Sequence, residues 1–190
     1  MNIGANSITD TGLYFQWGDT QGYTTSQVGS GEGQKYFGGD DCIYYNYGPY
    51  NKYTEGDSKI TLEASDDAVT AAWSGNWRMP TVSEFVALSE AVTSVWAADY
   101  QGSGVAGLVL TDKTDSSKTL FFPACSYAEN GNVYNVDGLG NYWSSSLDYE
   151  CGDDLAYSFY FHISNGVDWR LATHRYWGCT VRGVLDDSNS

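Results

Sequence analysis

The residues of this chain that could carry metal or nucleophilic chemistry are two histidines and four cysteines. A zinc site would need both His162 and His174 together with carboxylates, and their spacing matches no usual ligand set. A catalytic Cys151 or Cys179 would need a base and an orienting acid beside it, with His174 as the conceivable base. We therefore predict a protein that is not an enzyme and has no catalytic residues, metal ligands or cofactor.

The acidic residues of the last third could instead hold calcium. Hard cations are bound by several oxygen ligands, and Asp137, Asp148, Asp153 and Asp154 are close in sequence. The tripeptides of calcium-dependent sugar-binding domains, Glu-Pro-Asn and Gln-Pro-Asp, are missing, because no proline at positions 49, 80 and 123 is so flanked. Calcium-dependent carbohydrate binding stays an alternative hypothesis.

Binding by side-chain contact is the function that the segment 138–184 favours. In its clearest strand pattern, Tyr157 and Phe161 belong to an aromatic row, whereas Ser158 and His162 belong to a polar row on the other side. A core-forming row beside a row rich in aromatic and hydroxyl groups suits a binding surface on a rigid support. We therefore predict that 138–184 is the ligand-binding segment.

The predicted contact residues carry either a rigid aromatic ring or a group that can form adaptable hydrogen bonds. Trp177 is the aromatic residue that we most expect to be buried instead. The predicted ligand-binding set is Tyr149, Asp153, Asp154, Tyr160, His162, Asp168, Trp169, Leu171, Thr173, His174 and Tyr176.

Other polar or reactive side chains are explained better by packing than by chemistry. Trp143 is expected in the core, and the hydroxyls of Ser144 and Ser145 are expected to bond the backbone where strand meets loop. Cys125 ends an apolar run and is expected to be a buried thiol.

Two further pairings stay open in the sequence. Arg175 and Arg182 could clamp an anionic ligand, although pairing with carboxylates such as Asp148 is the commoner outcome in so acidic a protein. A Cys151–Cys179 disulfide is an alternative to free thiols.

The elements that position these residues are two helices followed by strands. Asp67 and its neighbours offer a cap before a helix at 68–73. Thr81 and Glu84 have the spacing of a capping box before a second helix, whose apolar positions recur as far as Trp96. Strands are predicted at 12–18, 105–110 and 119–123, a loop at 128–140, and three or four strands after it. This order indicates an α+β protein.

Composition limits the partners. The net charge of −15, from 24 acidic and 9 basic residues, repels phosphate backbones and anionic lipids, so we expect neither nucleic acid binding nor membrane insertion. The start of the chain, MNIGANSITD, indicates no signal peptide. The 16 Tyr, 7 Trp and 22 Gly are typical of loop-rich β proteins. We predict one domain, 1–190, whose Gly- and Tyr-rich part at 1–57 packs onto the rest as a long loop.

Five short motifs occur in order along the chain. They are GLYFQWG at 12–18, DDA at 66–68, WRMPTVSEF at 77–85, YWSSS at 142–146 and GCTVR at 178–182. In this order they resemble the Fibrobacter-type major paralogous domain family of gut bacteria and their phages, over nearly the whole chain.

That family is similar in fold to C-type lectins and to the formylglycine-generating enzymes, and some members are variable proteins of diversity-generating retroelements. The resemblance implies two helices with a small, mostly antiparallel, twisted sheet, and a fixed framework that carries exposed, mutable positions. The cysteine motif of the formylglycine-generating enzymes is missing, so no activity is implied. The implied framework is Tyr142, Trp143, Ser144, Ser145, Phe159, Phe161, Arg175, Gly178, Val181 and Arg182.

The implied variable positions are the predicted contact residues apart from Trp169, with Cys179 added. Adenine-directed rewriting of Asn codons cannot give Trp or Glu, so Glu150, Trp169 and Trp177 would be fixed. The function that the resemblance implies is a ligand- or receptor-binding module on a virion tail tip or a bacterial cell surface. Its expected partner is an unidentified protein or glycan on a cell surface, and another surface adhesin of the same fold is the alternative.

Overall fold

The computed structural model describes residues 1–45, 49–134, 137–150 and 152–186. Within these ranges it confirms the α+β class, because two short helices accompany small antiparallel sheets. The helices are α1 (Ala68–Ala72) and α2 (Val82–Ala91). The strands are β1 (Trp77–Arg78), β2 (Val92–Ala97), β3 (Gly107–Asp112), β4 (Thr119–Pro123), β5 (Tyr127–Glu129), β6 (Asn132–Tyr134), β7 (Leu139–Leu147), β8 (Leu155–His162), β9 (Gly166–His174) and β10 (Val184–Leu185).

The strands form four separate sheets, of which β7-β8-β9 carries most of the predicted binding segment. All nine residues of β7 are buried, and β8 lies between β7 and β9. The other sheets are β2-β3-β4 and the pairs β1-β10 and β5-β6. The predicted strand at 119–123 is confirmed, whereas β3 begins two residues later than the predicted strand at 105–110.

Helix α2 packs on one face of the β7-β8-β9 sheet. The ring of Phe85 stacks on that of Phe159 with centroids 5.3 Å apart, and Phe122 meets Phe159 edge-on at 5.1 Å. Phe161 and Tyr142 complete this aromatic layer, and their rings lie 6.1 Å apart. The predicted aromatic row of β8 is therefore a core row, buried under the helix.

Both predicted helix starts are confirmed by their caps. Asp67 Oδ1 accepts the backbone N–H groups of Val69 and Thr70, each at 2.9 Å. At α2, Glu84 N–H donates to Thr81 Oγ1 at 3.2 Å, and Thr81 N–H donates to Glu84 Oε2 at 2.8 Å. These bonds satisfy donors that the first helical turn leaves free.

The second helix ends earlier than its apolar spacing predicts. α2 stops at Ala91, and Val92 to Ala97 is strand β2, paired with β3. Val92 and Trp96 are four residues apart, and residues with this spacing lie on one side of a helix and also on one side of a strand. The spacing therefore could not distinguish a helix from a strand. Val95, which a helix would have buried, is 65% exposed.

The N-terminal part packs onto the domain, as predicted, but not through a strand at 12–18. Tyr14 and Phe15 make only isolated bridges, to Tyr23 and Cys179. Trp17 is fully buried, and its Nε1 donates to the Ser144 carbonyl at 2.8 Å. The segment is therefore held by side chains and single backbone bonds rather than by a ladder.

The predicted loop at 128–140 contains a hairpin. β5 and β6 pair through the two-residue turn Asn130-Gly131, in which both φ angles are positive, 48° and 75°. This is the turn for which Asn-Gly is the preferred sequence. The Asn-Gly pair was the local signal that the sequence interpretation missed.

Candidate functional site

Four predicted contact residues share the outer face of strands β8 and β9. Tyr160 is the cross-strand partner of Asp168, and Ser158 is the partner of Leu171. Because directly paired residues project on the same side, Tyr160, His162, Asp168 and Leu171 belong to one face, and all four are at least partly exposed. The rings of Tyr160 and His162 are nearly parallel, with centroids 6.5 Å apart. We name these four residues the outer face.

Trp169 does not belong to the outer face. Between the paired positions, β9 has one residue more from Asp168 to Leu171 than β8 has from Ser158 to Tyr160, which is a β-bulge. The extra residue shifts the side-chain alternation, and the ring of Trp169 stacks on Phe159 at 4.5 Å, on the helix side of the sheet. Trp169 thus packs against the core while it stays partly exposed, and its role as a ligand anchor stays a prediction.

Thr173 and Cys179 are also misplaced by the sequence interpretation. Thr173 is buried, and its Oγ1 lies 2.7 Å from Ser158 Oγ. Cys179 is a fully buried free thiol, so it has no exposed surface for a ligand; Cys151, its suggested disulfide partner, lies outside the described residues. The buried thiol predicted at Cys125 is confirmed. Trp177 is half-buried rather than enclosed.

The structural roles predicted for the start of the binding segment are confirmed. Trp143 is fully buried, and its Nε1 donates to the Phe15 carbonyl at 2.7 Å. Ser144 Oγ donates to the Tyr157 carbonyl at 2.7 Å, and Ser145 Oγ donates to the carbonyl of residue 80 at 3.3 Å. These hydroxyls bond the backbone and take no part in a site.

A second group of predicted residues lines a groove of about 410 Å³. Asp153 and Asp154 precede β8, His174 is the last residue of β9, and Tyr176 follows it. The remaining lining comes from the N-terminal part, which the sequence interpretation did not connect with the site. We name this the acidic groove, and it is lined by Gly39, Asp40, Tyr45, Pro49, Tyr50, Asp153, Asp154, His174 and Tyr176.

The polar groups of the acidic groove are only partly paired. Asp153 Oδ1 accepts the N–H of Glu55 at 2.8 Å. The imidazole of His174 lies beside Asp154, with Nδ1 3.6 Å from Asp154 Oδ2. Burial raises the pKa of Tyr176 above its ordinary value, so this phenol is neutral near pH 7. The groove thus offers carboxylate charge next to aromatic rings.

Arg175 fixes the back of the acidic groove. Its Nη1 donates to the carbonyls of Tyr53 at 3.1 Å and Asp153 at 2.8 Å, and its Nη2 donates to the Lys52 carbonyl at 3.1 Å. Its Cζ lies 4.1 Å from the centroid of the Tyr50 ring. Burial lowers the pKa of this guanidinium from its ordinary value. Arg175 therefore ties the N-terminal part to the loop before β8.

The expected pairing of the arginines with carboxylates such as Asp148 is wrong for the described residues. Arg175 bonds carbonyls, and Arg182 Nη1 donates to the Phe121 carbonyl while its Cζ lies 4.5 Å from the Phe122 ring centroid. A planar guanidinium can satisfy several carbonyls at once and still stack on a ring. Both arginines therefore hold the protein's own backbone in place.

Tyr149 lies apart from the other predicted residues. It is 55% exposed and lines a different groove of about 540 Å³ beside the start of α2. There Arg170 Nη2 lies 2.9 Å from Glu150 Oε1 and donates to the Tyr157 hydroxyl at 2.7 Å. The helix-side position of Arg170 follows from the same β-bulge.

A run of neighbouring aromatic rings connects the β5-β6 hairpin to the acidic groove. Tyr134 stacks on Tyr127 at 5.4 Å, and Tyr127 stacks on Trp177 at 4.3 Å. His174 lies 6.1 Å from Trp177 and 5.1 Å from Tyr176. Aromatic side chains fixed in this way bind with little loss of conformational entropy.

The acidic residues suggested for calcium do not form a site among the residues that the structure describes. In those ranges no group of three or more His, Cys, Asp and Glu residues could hold a metal ion. Asp148 is buried, and its Oδ1 accepts the N–H of Glu150 at 3.1 Å. Asp153 and Asp154 line the acidic groove instead.

In the described residues, no helix is both long and apolar enough to cross a membrane. No protein-family model matches the chain, and no curated protein or solved structure is significantly similar to it.

Proposed function

We propose that this protein is a ligand- or receptor-binding module that displays a variable, aromatic-rich surface on a C-type-lectin-like scaffold. Two short helices with small antiparallel sheets support the scaffold. The five ordered motifs are the basis for proposing the Fibrobacter-type major paralogous domain family, in a member without enzymatic activity. The binding surface comprises the outer face and the acidic groove.

The observation that carries the proposal is the contrast between the two sides of β8 over its last four residues, 159–162; residues 156–158 before them are buried. Phe159 and Phe161 are fully buried under α2, whereas Tyr160 and His162 alternate with them and reach solvent. Asp168 extends the exposed side onto β9. A face whose rings are held by a packed sheet is preorganised, so little entropy is lost when it binds a partner.

Diversification of this surface is part of the proposal. The implied framework residues Trp143, Arg175 and Val181 are buried, and the proposed variable positions of the outer face are at least partly exposed. Substitution at an exposed position on a rigid sheet costs little stability. We do not propose variation at Thr173 or Cys179, because both are buried.

The proposed partner is a protein or glycan on a cell surface, and the proposed location is a virion tail tip or the bacterial exterior. A net charge of −15 disfavours nucleic acid as the partner. If the surface is diversified, alleles differ at Tyr160, His162, Asp168 and Leu171 and keep Trp143. Allelic differences spread evenly along the chain would contradict diversification.

The test is an array of glycans and bacterial surface proteins probed with the protein and its variants. We expect the double variant Tyr160→Ala with His162→Ala to lose the strongest signal at unchanged melting temperature. Tyr36→Ala removes a tyrosine that is 44% exposed and outside β8 and β9, and it serves as the matched control. Equal loss in both variants, or a ligand unaffected by either, would refute binding at the outer face. Loss of signal with a chelator would favour the calcium-dependent alternative.

A further inference from the structure

We propose that the acidic groove binds an organic cation, specifically a quaternary ammonium group. This inference rests on the proposed binding function and names a ligand class for one part of that surface. It concerns the groove between the N-terminal part and the end of β9, and it requires no contribution from the outer face.

The walls of the acidic groove are aromatic on both sides. On the N-terminal side, Tyr45 and Tyr50 meet edge-on, with centroids 5.5 Å apart and planes at 62°. On the other side, His174 and Tyr176 are stacked at 5.1 Å with planes at 19°. A cation near a ring face is attracted by the ring quadrupole, and several rings around one group form an aromatic cage.

The charge of the acidic groove is negative. Asp40, Asp153 and Asp154 line it, and its described lining contains neither Lys nor Arg. Arg175 is fully buried, and its Cζ lies 4.1 Å from the centroid of the Tyr50 ring. The protein itself therefore places a cation against one ring of this wall.

The groove suits a quaternary ammonium better than a metal ion or a primary amine. Its carboxylates do not converge into a group that could hold a metal, among the described residues. A quaternary ammonium has no N–H donors to satisfy, and aromatic cages are the usual protein sites for such groups. A groove of about 410 Å³ has room for such a group together with part of the molecule that carries it.

The difference from a sugar site lies in the hydrogen-bonding groups. Sugar hydroxyls need both donors and acceptors, and the described lining contains no Asn, Gln, Lys or Arg. Its side-chain donors are tyrosine hydroxyls and the His174 ring, and the Tyr176 hydroxyl already donates to Glu129 Oε1 at 3.4 Å. The carboxylates of Asp153 and Asp154 only accept when ionised. A cation is attracted by both carboxylates and needs no hydrogen-bond donor from the groove.

The experiment is a titration of the full chain with choline and with tetramethylammonium, followed by chemical shifts of labelled tyrosine and histidine rings. The uncharged probe 3,3-dimethylbutan-1-ol has the shape of choline without its charge. We expect saturable shifts for both cations and an affinity for choline about tenfold or more above that for the alcohol. Raised salt should weaken the binding, because the groove is open to solvent.

Variants assign the binding to the acidic groove. Tyr176→Ala and Asp154→Asn should each weaken choline binding about fivefold to tenfold. Tyr36→Ala removes an exposed tyrosine that does not line the groove, and Glu90→Gln removes an exposed charge from α2; both controls should bind as the parent does. Melting temperatures of all four variants identify any that fail to fold, and Tyr176→Phe, which keeps the ring, should retain binding.

Absence of saturable shifts, equal affinity for choline and the alcohol, or equal loss in the control variants would overturn the inference. A methyl glycoside that saturates the same resonances where choline does not would overturn it in favour of a sugar. None of these results would contradict binding at the outer face, which is tested by the double variant Tyr160→Ala with His162→Ala. The two proposals therefore fail separately.

Discussion

The guanidinium of Arg175 stacks on the ring of Tyr50, with Cζ 4.1 Å from the ring centroid, and joins two parts of the chain that are distant in sequence. The same group donates to the carbonyls of Lys52, Tyr53 and Asp153. The back of the acidic groove thus depends on one side chain of the binding segment and one residue of the N-terminal part. Four consequences of the structure can be measured.

Arg175→Lys should destabilise the fold by about 3 kcal/mol. A lysine ammonium cannot reach three carbonyls in a planar fork or stack in the same way, so buried acceptors lose their donors. Urea unfolding followed by tryptophan fluorescence measures the change. Arg170→Lys is the control, because Arg170 is exposed and solvent screens its pair with Glu150, so the loss of stability should be much smaller. Equal destabilisation by the two changes would contradict this role of Arg175.

Thr173→Val should lower the free energy of unfolding by about 1–2 kcal/mol and leave ligand binding unchanged. The change removes the partner of the buried Ser158 hydroxyl, 2.7 Å away, and leaves that group without this bond. Chemical unfolding and the array of surface ligands give the two readouts. Weaker binding at unchanged stability would restore Thr173 to the contact surface.

Glu84→Gln should destabilise the protein near neutral pH by about 0.5–1 kcal/mol, a range that allows for solvent screening of this half-exposed pair. A bidentate contact with Arg78 holds the pKa of the Glu84 carboxyl below its ordinary value of 4.5. A lowered folded-state pKa stabilises the native state above the unfolded-state value, and the effect disappears as pH falls through the folded value. Unfolding of both proteins at pH 7 and at pH 2 measures this, and a difference that persists undiminished at pH 2 would contradict it.

The thiols of Cys42, Cys125 and Cys179 should resist alkylation in the native protein and react after unfolding. Burial raises the pKa of all three, and the thiolate is the reactive form. Mass spectrometry after iodoacetamide treatment, with and without urea, locates the modified residues. Rapid native alkylation of Cys179 would show that this position is open to solvent and would contradict its place in the core.

Local patterns in the sequence were enough for several elements. The capping box at Thr81 and Glu84 predicted the start of α2, because its two hydrogen bonds are made within one turn. The alternation from Tyr157 to Phe161 predicted a strand with one core row. The prediction of where α2 ends was wrong, because the spacing of Val92 and Trp96 fits both a helix and a strand. Pairing of this segment with β3 makes it a strand.

The sequence by itself determined which side chains can form an aromatic core, where each helix begins and that residues 157–162 alternate as a strand, since these properties depend on near neighbours in the chain. Only the tertiary structure decided that Trp169 turns inward at a β-bulge, that Thr173 is enclosed by Ser158, and that Tyr50 completes the groove with Tyr176. Strand register and contacts between distant segments are set by the packing of the whole chain. No local spacing encodes them.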